Sequence, residues 1–168
     1  MEKFFGADNY FVHFNRQPGG ADAMLDQNTS QFLHDLYCKN VPLLQPEPGM
    51  MMTNLAQAET PMGEPILNEE ELAVCVATFE AAGFPSSINW YRSMDRSGQI
   101  RANVGPVIHQ PAPMIYGEQD MILKLENLED FVPNVDVVSL DCGHWIEQEM
   151  LGETTRAMLE WLGANAAA

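Results

Sequence analysis

The spacing of hydrophobic residues changes along the chain, from a helical period in about the first hundred residues to alternating strands and helices afterwards. Residues 4–19 mix aromatic and polar side chains and end in Pro18-Gly19-Gly20, which predicts a compact packed loop. Apolar residues then recur at three- and four-residue spacing over residues 21–37, which predicts one amphipathic helix. The many prolines of residues 41–66 exclude a regular helix there and predict a long ordered loop.

Two further helices are predicted before the period changes. Asn68 is a good N-cap with Glu71 at the capping-box position, and Gly83 follows the last helical residue. The buried face of this helix is predicted to consist of Leu72, Cys75, Val76 and Phe79. The next helix is predicted to begin near Ser86 and to end at Ser97-Gly98.

The last part of the chain predicts strand, helix, strand and helix. The strands are placed at residues 113–117 and 135–140, the second of them buried. The helices are placed at residues 123–131 and 147–162. Two strands bury too little surface to form a complete sheet domain. This part is therefore expected to belong to something larger.

Polar residues follow each predicted strand at its carboxyl end. Asp120 comes shortly after the first strand, and His144 follows Asp141-Cys142-Gly143 after the second, 24 positions on from Asp120. Acid and then histidine is the chain order in α/β-hydrolases, where both follow the nucleophile. The histidine would transfer protons and the acid would orient it. An ordinary capping aspartate and a surface histidine are the alternative.

Composition narrows the possible functions. A net charge of −16 makes nucleic acid and anionic membranes poor partners, because phosphates are bound by clustered lysine and arginine. No apolar run is long enough to span a membrane, and the N-terminus does not resemble a signal peptide. The three cysteines have unrelated spacings, which favours reduced thiols in the cytoplasm over disulfides or a zinc site. No metal or cofactor is expected.

Four motifs resemble those of soluble epoxide hydrolases of the α/β-hydrolase fold. They are Tyr10-Phe11-Val12-His13-Phe14-Asn15, Asn89-Trp90-Tyr91-Arg92, Gly117-Glu118-Gln119-Asp120 and Cys142-Gly143-His144-Trp145. The Asn-Trp-Tyr-Arg motif is the most specific, whereas Gly-His-Trp also occurs in dehalogenases. The resemblance implies an incomplete α/β-hydrolase fold. Residues 1–104 would be a helical cap, or lid, and residues 105–168 the last two strands and helices of the core.

The resemblance also implies a reaction and residue roles. In that family an aspartate opens the epoxide to give a covalent ester, two cap tyrosines hydrogen-bond the epoxide oxygen, and a histidine oriented by an acid activates water. Tyr91 and Tyr10 would be the tyrosines, Asp120 the acid and His144 the base. The chain contains neither Gly-X-Asp-X-Gly nor His-Gly-X-Pro. The nucleophile is therefore expected from an N-terminal half, as the same gene product or a second chain, without which the chain is expected to be inactive on its small epoxide substrate.

Two alternatives stay open at the level of sequence. A haloalkane or haloacid dehalogenase would use the same aspartate-histidine chemistry but stabilise halide, usually through tryptophan or histidine, and paired tyrosines argue against it. A non-catalytic fragment could self-associate through an exposed sheet edge. Among the other candidate groups, His13, His34 and His109 are expected to be surface or structural residues. Cys142 is expected to be a small buried residue.

Overall fold

The computed structural model describes residues 10–16, 18–39, 63–120 and 126–165. The chain divides into two compact units, Met1–Ile100 and Arg101–Ala168. Most of the predicted proline-rich loop, and the start of the predicted loop at residues 4–19, lie outside the described residues. None of the helices in the described ranges is long and apolar enough to cross a membrane.

The first unit is built from short helices around one hydrophobic core. The helices are α1 (Tyr10–Arg16), α2 (Gly20–Gln27), α3 (Thr29–Leu36), α4 (Glu69–Ala82), α5 (Pro85–Arg92) and α6 (Met94–Arg101). The buried cluster consists of Phe14, Ala21, Leu25, Phe32, Leu33, Cys38, Phe84 and Ile88. Helices α1 to α5 each contribute to this cluster or pack against it.

Helix α1 corrects the prediction of a loop over residues 4–19. Residues 10–16 are helical, because Tyr10 and Phe14 lie one turn apart and bury on one side, with their rings 5.7 Å apart. Val12 is buried as well. The helix is short, and the polar residues among its aromatics obscure its period in the sequence.

The single helix predicted over residues 21–37 is two helices, α2 and α3, separated at Asn28. The Asn28 side-chain amide donates to the carbonyl oxygen of Met24 at 2.8 Å. The hydroxyl of Thr29 donates to the carbonyl oxygen of Leu25 at 3.2 Å. Side chains that bond to carbonyls of the preceding turn compete with the helical ladder, which explains the break.

The predicted capping box of α4 is confirmed. Asn68 Oδ1 accepts from the backbone N–H groups of Glu70 and Glu71, and Glu71 Oε2 accepts from the backbone N–H of Asn68 at 2.8 Å. Gly83, with φ of 69°, ends the helix. The predicted apolar face is also confirmed, since Leu72, Cys75, Val76 and Phe79 pack against the core.

The predicted end of the next helix at Ser97-Gly98 is wrong. Helix α5 begins at Pro85 and ends at Arg92, and Ser97-Gly98 lies inside the separate helix α6. The hydroxyl of Ser93 donates to the carbonyl oxygen of Trp90 at 2.8 Å, which satisfies a carbonyl at the end of α5.

The second unit contains two parallel strands, β1 (Ala112–Gly117) and β2 (Val135–Leu140), with Ala112 opposite Val135 and Gly117 opposite Leu140. Both predicted strands are confirmed. The helices of this unit are α7 (Leu128–Phe131), α8 (Ile146–Glu149) and α9 (Leu151–Asn165). The predicted final helix is therefore interrupted at Met150. Residues 121–125, within the predicted helix over residues 123–131, lie outside the described residues.

The prediction that β2 is buried is wrong. Val137 and Val138 are 39% and 36% exposed. Helix α9 likewise exposes large apolar side chains, namely Leu151, Met158, Leu159 and Leu162. Among the described residues, the sheet has only two strands. A sheet of this size buries little surface unless other elements pack on its faces.

Candidate active site

The two predicted tyrosines lie next to each other in the helical unit. Tyr10 comes from α1 and Tyr91 from α5, and their ring centroids are 5.7 Å apart at an interplanar angle of 76°. Both rings also contact the buried ring of Phe14. Edge-to-face contacts of this kind stabilise aromatic pairs beyond the area that they bury. Helices distant in sequence thus bring the two phenols together.

Arg92, the last residue of the Asn-Trp-Tyr-Arg motif, joins the helices α1, α2 and α5. Its Nη2 donates to Asp22 Oδ2 at 2.6 Å and its Nη1 to Asp22 Oδ1 at 3.2 Å. Its Nε donates to the carbonyl oxygen of Phe14 at 2.9 Å. A bidentate guanidinium–carboxylate pair has a defined geometry. Arg92 therefore holds α5, which carries Tyr91, against α1, which carries Tyr10.

Sequence reasoning missed Asp22. Asp22 also makes a local hydrogen bond: its Oδ2 accepts from the backbone N–H of Gly19 at 2.8 Å, at the start of α2. The hydrogen bonds from Arg92 are the main reason that the pKa of Asp22 is lowered, and the Gly19 bond adds to the effect. The sequence marks Asp22 only as an acid in the first turn of a helix.

The environment of the tyrosines keeps both hydroxyl groups protonated. Burial, and next the neighbouring Tyr91, raises the pKa of Tyr10 to about 12. Burial also raises the pKa of Tyr91. Neutral phenols donate hydrogen bonds, so both groups remain donors at neutral and moderately alkaline pH.

The Tyr10 shift predicts an alkaline loss of stability. Because the pKa of Tyr10 is raised from 10.0 to about 12 on folding, its contribution is complete below pH 10 and is lost as the pH rises through about 12. In Tyr10→Phe, the free energy of unfolding measured in urea should therefore decrease less steeply above pH 10 than in the wild type. The ultraviolet titration of tyrosinate should also lose one group that titrates above pH 10. Tyr116→Phe, in the other unit, is the control. An unchanged alkaline fall in Tyr10→Phe would contradict the prediction.

Tyr91 also borders an apolar cavity of about 120 Å³ within the helical unit. Aromatic and aliphatic side chains line it, including Phe14, Phe79 and Ile88. Cavities of this size and character accept small apolar groups. A hydrogen-bond donor therefore lies at the border of an apolar space.

Asp120 and His144 lie together in the second unit. Asp120 follows the carboxyl end of β1, and His144 follows the carboxyl end of β2. Because these strands are parallel neighbours, their carboxyl ends lie side by side at one edge of the sheet. His144 Nδ1 is 3.1 Å from each carboxylate oxygen of Asp120. An Nδ1–H donated to the carboxylate leaves the Nε2 lone pair to accept a proton. The pair has the geometry of a base and its orienting acid.

Backbone contacts fix the two loops that carry this pair. The backbone N–H of Glu118 donates to the carbonyl oxygen of Leu140, and that of Gln119 to the carbonyl oxygen of Cys142. A Cβ atom at Gly117 would lie 2.0 Å from the carbonyl oxygen of Gly143. The backbones approach so closely that only glycine fits at position 117. The sequence shows this glycine, but the reason for it is tertiary.

No protein-family model matches the chain, but two comparisons with known proteins find epoxide hydrolases. The chain is 29% identical over 174 residues to epoxide hydrolase A of Mycobacterium tuberculosis, covering 94% of this chain and 53% of that protein. It is 28% identical over 172 residues to bifunctional epoxide hydrolase 2 of Sus scrofa, covering 94% of this chain and 30% of that protein.

Solved structures extend the likeness. Epoxide hydrolase A from Mycobacterium thermoresistibile superposes with a TM-score of 0.78 at 29% identity, over 96% of this chain and 54% of that one. The chain is homologous to the epoxide hydrolases. A Vigna radiata epoxide hydrolase mutant, with a TM-score of 0.79 at 23% identity, supports the fold alone.

The chain spans about half the length of epoxide hydrolase A of Mycobacterium tuberculosis, to which it is matched. The predicted resemblance to epoxide hydrolases is confirmed. The coarse fold is confirmed as well, since the chain matches part of an α/β-hydrolase fold and consists of helices with a small sheet. The assignment of residues 1–104 to a cap and of residues 105–168 to the end of the core stays a prediction.

Cys142 is a potentially reactive side chain two positions before His144. Cys142 is 5% exposed. Burial, and next the Glu149 carboxylate, raises the pKa of its thiol. The expectation of a small buried residue is confirmed, and a protonated thiol is a poor nucleophile.

One cluster of side chains in this chain has the residue types of a metal site. The side chains of His34, Asp35 and Cys38 have potential ligand atoms within 4.8 Å of one another. The fully buried Asp35 already accepts from Gln31 Nε2 at 2.6 Å and lies 2.8 Å from His34 Nδ1, while the Cys38 thiol donates to the carbonyl oxygen of His34. These groups satisfy one another. His34 therefore has a structural partner that sequence reasoning did not find.

Proposed function

We propose that this chain carries part of the active site of an epoxide hydrolase, which converts an epoxide to a vicinal diol through an aspartyl ester. The observation that supports it most strongly is the Asp120–His144 pair at the ends of adjacent parallel strands. The 29% sequence identity with epoxide hydrolase A of Mycobacterium tuberculosis supports the proposed class of reaction.

In the first step, a carboxylate oxygen attacks one epoxide carbon, a carbon–oxygen bond breaks, and its electron pair moves to the epoxide oxygen. Tyr10 and Tyr91 donate hydrogen bonds to that oxygen as its charge develops, and the resulting alkoxide takes up a proton from solvent. Two convergent donors stabilise a developing oxyanion. The adjacent protonated phenols support this role.

In the second step, Nε2 of His144 accepts a proton from water as the water oxygen adds to the ester carbonyl. The bond between the acyl carbon and the substrate oxygen then breaks, and that oxygen takes the proton from Nε2 and leaves as a hydroxyl group of the diol. The carboxylic acid that remains loses its proton to solvent, which regenerates the carboxylate. Asp120 holds the imidazole tautomer and stabilises the imidazolium. The bonds between Nδ1 and both Asp120 oxygens support this assignment.

We further propose that the attacking aspartate comes from polypeptide outside these 168 residues, since the chain has no Gly-X-Asp-X-Gly motif. The exposed apolar surfaces of β2 and α9 are suited to cover by such a partner segment. The substrate is a small epoxide with an apolar substituent, in keeping with the apolar cavity beside Tyr91. With its charge of −16, the chain is not expected to bind nucleic acid or anionic membranes.

Tyr91→Phe separates the two steps. In a chimera that joins this chain to the portion of epoxide hydrolase A that it does not match, loss of one donor should slow ester formation by on the order of 10²–10³. Ester hydrolysis should be nearly unchanged. Single-turnover kinetics with styrene oxide measure both rates. Tyr37→Phe removes the hydroxyl of another tyrosine that lines the same cavity but has no proposed donor role, which makes it the matched comparison.

Three outcomes would count against the proposal. The first is styrene oxide hydrolysis by the 168-residue chain alone, abolished by His144→Ala, which would remove the need for an outside nucleophile. The second is turnover of a haloalkane but not of an epoxide by the chimera, which would assign a dehalogenase. The third is a loss of thermal stability in Tyr91→Phe with no change in ester formation, which would make Tyr91 structural.

A further inference from the structure

Glu149 bonds to the backbone on both sides of His144. It is the last residue of α8. Its Oε2 accepts from the backbone N–H of Gly143 at 3.0 Å. Its Oε1 accepts from the backbone N–H of Trp145 at 3.1 Å. One carboxylate thus binds the amides immediately before and after the histidine.

Among the residues that the structure describes, no lysine, arginine or histidine forms an ion pair with the Glu149 carboxylate. It is partly buried, and after burial it is the next cause that raises the pKa of the Cys142 thiol. A partly buried carboxylate without a cation is unfavourable unless hydrogen-bond donors compensate it. The amides of Gly143 and Trp145 are those donors, and bonds to a charged acceptor are the stronger kind.

The spacing of these bonds restricts the backbone at His144. The two oxygens of a carboxylate are held at a constant separation, so binding both neighbouring amides limits the rotation of the peptide groups that flank the histidine. A Cβ atom at Gly143 would lie 3.0 Å from Glu149 Oε1. The Glu149 carboxylate is therefore close to this backbone and is bonded to it through both oxygens. The direction of the imidazole ring toward Asp120 depends on the same backbone.

We propose that Glu149 is a positioning residue for His144, holding the backbone from Gly143 to Trp145 so that Nδ1 faces Asp120. The structural part of this inference concerns the Asp120–His144 hydrogen bond alone. Its consequence for ester hydrolysis rests on the proposed function.

Nuclear magnetic resonance of the 168-residue chain tests the structural part. The Nδ1–H signal of His144, assigned by its loss in Asp120→Asn, should be protected from solvent exchange in the wild type and in Glu147→Gln. Glu147 lies on the same helix and is exposed, which makes it the matched control. Glu149→Gln should lose the protected signal, because an amide has only one acceptor oxygen. A signal that persists in Glu149→Gln would overturn the proposal.

Two further measurements separate position from charge and from folding. Glu149→Asp keeps the charge but shortens the side chain, so it should also lose the signal; wild-type behaviour in this variant would show that charge alone acts. Amide exchange of the unsubstituted chain needs no variant. There the Gly143 and Trp145 amides should exchange slowly, and rapid exchange of both would overturn the proposal even if Glu149→Gln fails to fold.

The catalytic consequence is measured in the chimera. A misdirected base should slow ester hydrolysis by on the order of 10²-fold, while ester formation, which does not use His144, stays unchanged in Glu149→Gln. An equal loss in both steps would indicate a general structural role and overturn the assignment. A chimera that does not turn over any epoxide would count against the proposed function, whereas the magnetic resonance result would still decide the role of Glu149.

Discussion

Asp22→Ala should destabilise the helical unit by about 3 kcal/mol, at the lower end of the cost of removing one partner of a buried ion pair. The lower end applies because Arg92 is only partly buried and keeps its bonds to Phe14 and Asn89. The Asp22 and Arg92 side chains are only 8% and 18% exposed, and they lie 2.6 Å apart. Urea unfolding followed by far-ultraviolet circular dichroism measures the change.

Lys39→Met provides the comparison. The Lys39–Glu64 pair has side chains that are 43% and 72% exposed, so its loss should cost no more than about 1 kcal/mol. Equal costs in Asp22→Ala and Lys39→Met would contradict the assignment of Asp22–Arg92 as a structural ion pair.

The same pair predicts a pH dependence of the opposite sign to that of Tyr10. Folding lowers the pKa of Asp22 from its usual 3.8, so the stabilisation is present above that pH and is lost as the pH falls through the lower, folded-state value. The stability difference between wild type and Asp22→Ala should therefore shrink in acid.

His144→Gln should cause the largest functional effect. In the chimera, loss of the base should lower turnover by on the order of 10²–10⁴, the usual contribution of general acid–base catalysis. Because His144 acts only after ring opening, the ester should still form and accumulate. Intact-protein mass spectrometry should show an increase equal to the mass of one substrate molecule, while multiple-turnover kinetics shows the slowed release of diol.

Two further variants test the same role of His144, one as a second loss of function and one as a control. Asp120→Asn should also let the ester accumulate, because an amide facing Nδ1 favours the wrong imidazole tautomer. His109→Gln changes an exposed histidine with no proposed role and should leave turnover unchanged. A His144→Gln chimera that stays free of adduct yet inactive would show that His144 is needed before ring opening, contrary to the proposed mechanism.

Local signals in the sequence were sufficient for several elements. The start of α4 could be predicted because its capping box involves residues three positions apart, Asn68 and Glu71. The strands β1 and β2 could be predicted because their apolar runs end at glycine-containing turns. The order of Asp120 and His144 after those strands followed from chain position. Each of these features depends on a residue and its near neighbours.

Other features depended on partners far away in the sequence. Helix α1 escaped prediction because it is stabilised by burial of Phe14 in a core that includes Ile88. The burial predicted for β2 failed because apolar composition indicates a preference for cover, and the cover itself must come from other chain segments.

The sequence by itself determined the capping of α4, the two strands, the candidate chemical groups and the resemblance to epoxide hydrolases. Only the tertiary structure decided that Arg92 of α5 pairs with Asp22 of α2, and that Gly117 must be glycine because another loop approaches it. It also decided that Glu149 bonds on both sides of His144. The reason is physical: capping and periodicity act over three or four residues, whereas ion pairs and backbone contacts require the folded chain to bring distant residues within about 3 Å.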